Sequence, residues 1–228
     1  MKNNIKYKKA LFFFAHPDDE TLSAGGLIHK LSKQGAKIKI VIASEGLLSR
    51  ESYKKSDVKK HIDNLYQACS ILGVNEKDVI VGTFKDNSFD SEPLLNLVKF
   101  LSNIVNKFKP EALFTHHKHC TNIDHKYCHE AAIIATRPIG GFFVDLFSCE
   151  TISSSAYSRP NSFDPNYFCI LSEKDIQAKK NAIKKFQFEI KKFPHMRSVD
   201  FIDINARYRG GQISTRYAEA YMVNNLYS

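Results

Sequence analysis

Short apolar runs alternate with helix-like segments through the first 150 residues of this chain, and that alternation restricts its fold more than any other feature. Strands are predicted at Ala10–Ala15, Lys37–Ala43, Val79–Phe84 and Ala112–Thr115, with another near Phe143–Cys149. Each is a short apolar run bounded by breakers, the pattern of a strand buried on both faces. Between them, Thr21–Lys33, Val58–Leu72, Leu94–Phe108 and Lys126–Thr136 read as helices, and Gly35 and Gly73 stand where C-terminal caps belong. Such repetition predicts an α/β fold: a Rossmann-like, mainly parallel sheet with helices on both faces. Past Glu150 the pattern loosens. Tyr167–Leu171 reads as a last short strand and Glu173–Lys192 as one long amphipathic helix, while the tail from Arg207 has no clear period. The expectation is a single domain over 1–228 with a C-terminal helical extension.

Bulk composition narrows the partners. A chain of 228 residues at 43% hydrophobic supports one sizeable core, and no Pro/Gly/Ser-rich linker divides it. The net charge of +9, from 33 Lys+Arg against 24 Asp+Glu, permits attraction to anionic partners and mildly favours a phosphorylated or nucleotide-linked substrate. The basic residues are dispersed in doublets such as Lys54-Lys55 and Lys191-Lys192. They form no groove-directed stripe, so no nucleic-acid partner is expected. Five cysteines without a Cys-x-x-Cys pair suggest neither a disulfide framework nor a thiolate zinc site. Reduced thiols fit a cytoplasmic protein. No stretch approaches the ~20 apolar residues of a membrane span, and the apolar run after the basic N-terminus is too short for a signal peptide. Neither Gly-x-Gly-x-x-Gly nor a Walker-type motif occurs, so a nucleotide cofactor is not indicated.

The first predicted strand ends in Ala15-His16-Pro17-Asp18-Asp19-Glu20. One imidazole and three carboxylates crowd a strand-to-helix turn, where ligands gather in open α/β sheets. Four such groups are costly together unless a cation or substrate compensates them. Divalent ions such as zinc take imidazole and carboxylate ligands, with three protein ligands in catalytic sites. His16 and one of Asp18 or Asp19 supply two. A third is expected from the end of another strand, and the run His116-His117-Lys118-His119-Cys120-Thr121-Asn122-Ile123-Asp124-His125 holds four of the nine histidines. Other divalent ions suit the same N/O donors.

Ala-His-Pro-Asp-Asp-Glu after the first strand and Asn-Ile-Asp-His after a later one resemble the PIG-L family of zinc-dependent N-deacetylases (LmbE-like proteins). The later segments Ala135-Thr136-Arg137-Pro138, Ala206-Arg207-Tyr208-Arg209-Gly210 and Tyr217-Ala218-Glu219-Ala220 are similar to the branch that acts on sugars. The resemblance implies that His16, Asp19 and His125 bind zinc, that Asp18 is the general base and that Asp124 is a supporting carboxylate. It implies removal of acetate from an N-acetylated amino sugar, free, nucleotide-linked, or part of a glycan or glycolipid, and it allows a homo-oligomer. An amidase acting on a thiol conjugate or a secondary metabolite is the alternative enzyme, and a nucleic-acid-binding module the non-catalytic one. Two adjacent carboxylates point in different directions from the turn, which suits a division between ligand and base.

One departure stands out. Many members of the family carry a histidine three residues before the third ligand, where this chain has Asn122. The oxyanion donor is then expected to be Asn122 in a weaker form, or His117 or His119 swinging in, with His117 preferred. Arg50, Arg137 and Arg209 are candidate substrate-binding guanidiniums. Asp86-Asn87 follows the third strand and is placed near the cleft. His129, spaced i, i+4 from His125, lacks the Glu of a His-Glu-x-x-His motif.

Overall fold

The computed structural model describes residues 7–50, 52–139, 141–158 and 161–227. Its elements follow in the order β1 (Lys9–Phe14), α1 (Asp19–Lys33), β2 (Lys37–Ile42), α2 (Lys55–Ile71), β3 (Val79–Val81), α3 (Leu94–Phe108), β4 (Ala112–His116), α4 (Ile123–Ala135) and β5 (Asp145–Cys149). Then come α5 (Ile152–Ser155), β6 (Tyr167–Ile170), α6 (Glu173–Ile183), α7 (Val199–Gly211) and β7 (Ala218–Asn225). The strands form one sheet in the order β3-β2-β1-β4-β5-β7-β6. β1 to β5 run parallel, while β7 is antiparallel to both β5 and β6.

Alternate residues of β1 face opposite layers, as the strand period requires. Ala10, Phe12 and Phe14 join the side chains of α1, α2, α6 and α7, whereas Leu11, Phe13 and Ala15 join those of α3 and α4. Phe12, Phe114 and Phe147 stack in a ladder across β1, β4 and β5 at 4.8 Å between successive rings. Each ring buries on the order of 150 Å² or more, which locks the register of the three central strands.

The chain steps from β1 to β2 and β3 on one side, then crosses to β4 on the other. Strand order therefore reverses between β1 and β4, the place where open α/β sheets form a crevice beyond their carboxyl ends. β1 ends at Phe14 and β4 at His116, so the hexapeptide and the histidine-rich run emerge side by side.

The C-terminal third differs from the expected helical extension. The helix that begins at Glu173 ends at Ile183, because tight turns (Lys185 N–H to Ala182 O, Phe186 N–H to Ile183 O) tuck Phe186 into the core. The tail holds α7 and then β7, which extends the sheet. Its pattern is hidden because α7 buries Arg209 and Gly210 beside Ile202 and Ala206, and β7 is covered on both faces over Ala218–Tyr221. The third strand is also shorter than expected. At Gly82 a Cβ would lie 2.6 Å from Ala43 O, so the chain passes too close to β2 for any side chain.

Candidate active site

The hexapeptide folds as it does because each carboxylate has its own task. Glu20 reaches back, its Oε2 accepting the Asp18 N–H at 3.1 Å. Asp18 sits at φ 109°, a left-handed conformation that costs a non-glycine residue of order 1–3 kcal/mol and recurs at functional sites. Asp19 opens α1. Its Oδ2 accepts the His16 backbone N–H at 3.0 Å and faces His16 Nδ1 at 3.3 Å, His125 Nε2 at 3.3 Å and His116 Nε2 at 3.5 Å. Its Oδ1 is buried without a hydrogen-bond partner. A bare carboxylate oxygen in that position is expensive unless a cation meets it.

Asn122 caps α4, its Oδ1 accepting the backbone N–H groups of Asp124 at 2.8 Å and His125 at 3.4 Å. This cap delivers Asp124 and His125 in the first turn of α4. Asp124 is fully buried and accepts from His16 Nε2 at 2.8 Å and from the backbone N–H of Asn87 at 2.7 Å and Phe89 at 3.0 Å. Asp86 Oδ1 lies 3.2 Å from the same His16 Nε2, and its Oδ2 accepts from the Ser49 hydroxyl and N–H. His16 Nε2 thus points at carboxylates and its Nδ1 at Asp19, the arrangement by which a carboxylate orients a metal-binding imidazole.

His16, Asp19 and His125 each offer a donor atom, and the three lie within 4.8 Å of one another. They suit a divalent ion with N/O ligation. A second grouping, His16, Asp86 and Asp124, shares the histidine. His116 does not fit a ligand's role. Its Nε2 accepts the Ala15 N–H at 3.0 Å and its Nδ1 faces Thr151 Oγ1 at 3.2 Å, which consumes both nitrogens. It stacks on His125 instead, with ring centroids 3.6 Å apart. His125 Nδ1 meets Cys120 Sγ at 3.0 Å, leaving Nε2 toward Asp19.

The electrostatics follow from burial set against these contacts. Burial opposes charge on His16, yet its bonds to Asp124, Asp19 and Asp86 raise it well above its ordinary range. Burial likewise opposes charge on His125, and Asp19 and Cys120 raise it to about 9. For Asp19, burial is outweighed by His125 and His116, which hold it well below the usual carboxylate range. Burial pushes Asp18 up, against the pull of Arg197. Burial and the neighbouring His125 lower His116 to about 3.

The cleft above this cluster is lined by His16, Pro17, Asp18, Arg50, Asp86 and Asn122, together with Glu189 and Arg197 from the C-terminal segment. Arg50 grips Glu189 at 2.9 and 3.1 Å. Arg197 Nη1 also pairs with Glu189 and lies 3.2 Å from Asp18 Oδ2, near enough to pair electrostatically though not aligned as a hydrogen bond. The other expected residues are elsewhere. His117 faces Asn161 O and the Phe163 ring rather than the cluster. Arg137 follows α4, whose 13 residues carry it ~20 Å from the cap at Asn122, and its Nε bonds Ile134 O. Arg209 is buried in a fork against Glu150, with Nη1 on Gln212 Oε1. Neither arginine lines the cleft. His129 Nδ1 faces the His116 carbonyl at 3.0 Å.

The GlcNAc-PI de-N-acetylase (PIG-L) family model matches residues 11–136, more than half of the 228-residue chain. The chain belongs to this family. The matched span of the PIG-L fold ends before Glu189 and Arg197, so the C-terminal wall of the cleft lies outside it. A 1D-myo-inositol 2-acetamido-2-deoxy-alpha-D-glucopyranoside deacetylase of Thermomonospora curvata is 25% identical over 154 residues, covering 56% of this chain and 52% of that protein. A "Probable N-acetyl-alpha-D-glucosaminyl L-malate deacetylase 2" of Bacillus cereus is 27% identical over 135 residues, covering 56% of this chain and 60% of that one. The chain spans about half the length of the curated relatives it matches. In structure, N,N'-diacetylchitobiose deacetylase from Pyrococcus horikoshii superposes with a TM-score of 0.74 at 19% identity, over 96% of this chain and 84% of the other. That likeness concerns the fold.

Two charged residues of the cleft carry no mark in the sequence. Arg197 and Glu189 sit in a stretch without periodicity, and no local pattern marks them. The departure at Asn122 was visible, but its consequence, a helix cap whose side chain is already engaged, was readable only as an Asn just ahead of Asp124.

Proposed function

We propose that this chain, as a single domain over 1–228, hydrolyses the N-acetyl group of an amino sugar with the help of a divalent metal, zinc being the first choice. The convergence of His16, Asp19 and His125 around the partnerless Asp19 Oδ1 carries this reading. The names borne by the curated relatives, deacetylases of glucosaminyl-inositol and glucosaminyl-malate, support the substrate class.

In the proposal His16, Asp19 and His125 hold the ion. When bound, a metal of this kind lowers the pKa of water and polarises a carbonyl. Asp18, in the cleft and beside the ligand set, takes the proton of the attacking water and returns it to the departing nitrogen. With its left-handed backbone tied by Glu20, Asp18 presents Oδ2 to Arg197 while Asp19 presents Oδ2 to His16 and His125, so in the proposal one residue ligates while its neighbour handles protons. Asp124 and Asp86 fix the tautomer of His16 by accepting from Nε2.

The net positive charge of the chain is not expressed here. Asp18, Asp86 and Glu189 line the cleft, and both of its arginines are already paired with carboxylates. That lining suits the hydroxyls of a neutral sugar better than a phosphate, so a free or neutral glycosidic substrate is preferred over a nucleotide sugar. Among the described residues no helix is long and apolar enough to cross a membrane. Five buried cysteines, none in a disulfide, support placement in the cytoplasm.

The test is acetate release from N-acetylglucosamine, its α-glycosides and UDP-N-acetylglucosamine, with zinc-loaded wild type and Asp18→Asn. The proposal expects turnover of at least one N-acetyl sugar by wild type and a loss of 10²-fold or more in Asp18→Asn at equal metal content. Equal rates in the two proteins would remove Asp18 from the mechanism, and no release from any of the sugars would remove the substrate class.

A further inference from the structure

Hydrolysis of an amide passes through a tetrahedral state in which the carbonyl oxygen takes on negative charge, and a preorganised donor aimed at that oxygen is worth about 10²–10³ in kcat. Most donors along the cleft are committed. Asn122 donates through Nδ2 to Asn87 Oδ1 at 3.1 Å, and its Oδ1 caps α4. Asn87 Nδ2 is held by Ser49 Oγ at 2.8 Å and Asp86 Oδ1 at 3.2 Å. Both terminal nitrogens of Arg50 engage Glu189. The ring nitrogens of His16 face Asp19, Asp86 and Asp124.

Arg197 differs. Its Nε donates to Ser153 Oγ at 3.1 Å, and its Nη1 sits between Glu189 and Asp18. Among the described residues its Nη2 has no partner. The guanidinium is therefore anchored on two sides, mostly buried at 22% side-chain exposure, and still holds unspent donors beside the carboxylate that would handle the proton. An anchored guanidinium loses little freedom on meeting an oxyanion, and unlike an amide it brings full charge.

We propose that Arg197 is the residue that binds the carbonyl oxygen of the scissile amide, through Nη2, and stabilises its negative charge. The assignment rests on the deacetylase reading above. In the step, the water oxygen adds to the carbonyl carbon, its proton passes to Asp18, and the π pair of the C=O bond moves onto the oxygen facing Arg197. The pair then returns as the C–N bond breaks. The nitrogen leaves with that bonding pair and takes the proton from Asp18, giving acetic acid and the amino sugar; the acid's remaining proton then passes to the amine, leaving acetate and the ammonium form of the sugar. Glu189 and Ser153 act as positioning residues for Arg197.

The experiment compares zinc-loaded wild type, Arg197→Lys, Arg197→Gln and Arg197→Ala. It follows acetate release, metal content, thermal unfolding, and affinity for a methylphosphonamidate of glucosamine as a tetrahedral, anionic probe. Expected are a 10²–10³-fold fall in kcat for Arg197→Gln and Arg197→Ala, with KM within a few-fold and metal content unchanged. Probe affinity should fall by a similar factor, affinity for glucosamine should hold, and added guanidinium ion should partly restore Arg197→Ala. An active wild type with an equally active, folded Arg197→Gln overturns the assignment and leaves the deacetylase reading standing. A fall in kcat without loss of probe affinity also overturns it, since Arg197 would then act only through Asp18. No turnover by wild type removes both.

Discussion

Asp124 should set metal affinity without touching the metal, and Asp124→Asn tests this on nearly the same side-chain volume. Three donors converge on the wild-type carboxylate: His16 Nε2 and Asn87 N–H on Oδ2, at 2.8 and 2.7 Å, and Phe89 N–H on Oδ1, at 3.0 Å. An asparagine has one acceptor oxygen. Whichever way its amide turns, at least one buried donor faces an NH₂ group, at a cost of about 1–3 kcal/mol. If the amide keeps its oxygen toward Phe89, His16 loses the nearer of the two carboxylates that fix its tautomer and keeps only Asp86 at 3.2 Å. Removing such a partner lowers metal affinity about 10–100-fold, or roughly 1.4–2.8 kcal/mol at 1.4 kcal/mol per decade. The assay is a zinc titration against a competing chelator, paired with metal-free thermal unfolding to isolate the structural cost. A Kd within twofold of wild type would refute the orienting role. A loss of ~10⁴-fold or more would make Asp124 a direct ligand, as in the alternative grouping of His16, Asp86 and Asp124.

Metal affinity should climb with pH. A ligating imidazole must be neutral, and Asp19 and Cys120, against burial, raise His125 to about 9. Below that value binding must expel a proton from His125, and another from His16, which its carboxylates also raise, so from pH 6 upward Kd should tighten by up to about tenfold per pH unit for each proton expelled, with proton release measurable in two calorimetric buffers. Glu219 accepts from Gly26 N–H, Leu27 N–H, Lys179 Nζ and Tyr221 Oη in the core. Glu219→Ala strands a buried lysine and should cost about 3–5 kcal/mol, with Lys179→Met recovering part of it by chemical denaturation. Asn122→Ala should cost about 0.5–2 kcal/mol through the lost cap. It should also weaken zinc binding, because the first turn of α4 carries His125; an unchanged Kd would separate the cap from the site.

The sequence revealed the central sheet because β1 and β4 are buried on both faces and read as largely apolar runs, and β2 is buried from Ile40 to Ile42. The proposed ligand trio was legible for a related reason. A His-Pro-Asp-Asp-Glu turn and a histidine-rich run each directly follow one of two strands that lie side by side at the reversal of strand order. What stayed hidden was built from long-range pairing. β7 looks patternless because Glu219 and Tyr221 are both buried, one facing Gly26 and Leu27 of α1 and the other the aromatic ladder. Arg197 and Glu189 are tied to the cleft by contacts with Asp18 and Arg50, 179 and 139 residues away in sequence. Arg137 and Arg209 misled for the converse reason: a guanidinium in a loop or tail carries no local sign of whether it meets a ligand, a carbonyl or a buried glutamate.

The most direct measurement is metal content by mass spectrometry on the purified chain and on His125→Ala, without added metal, followed by zinc titration of both. One zinc per wild-type chain, or stoichiometric uptake on titration, with loss in His125→Ala while the fold is retained, is the predicted result. A wild type that binds no divalent ion at any pH from 6 to 9 would contradict the proposed site and the hydrolytic mechanism built on it.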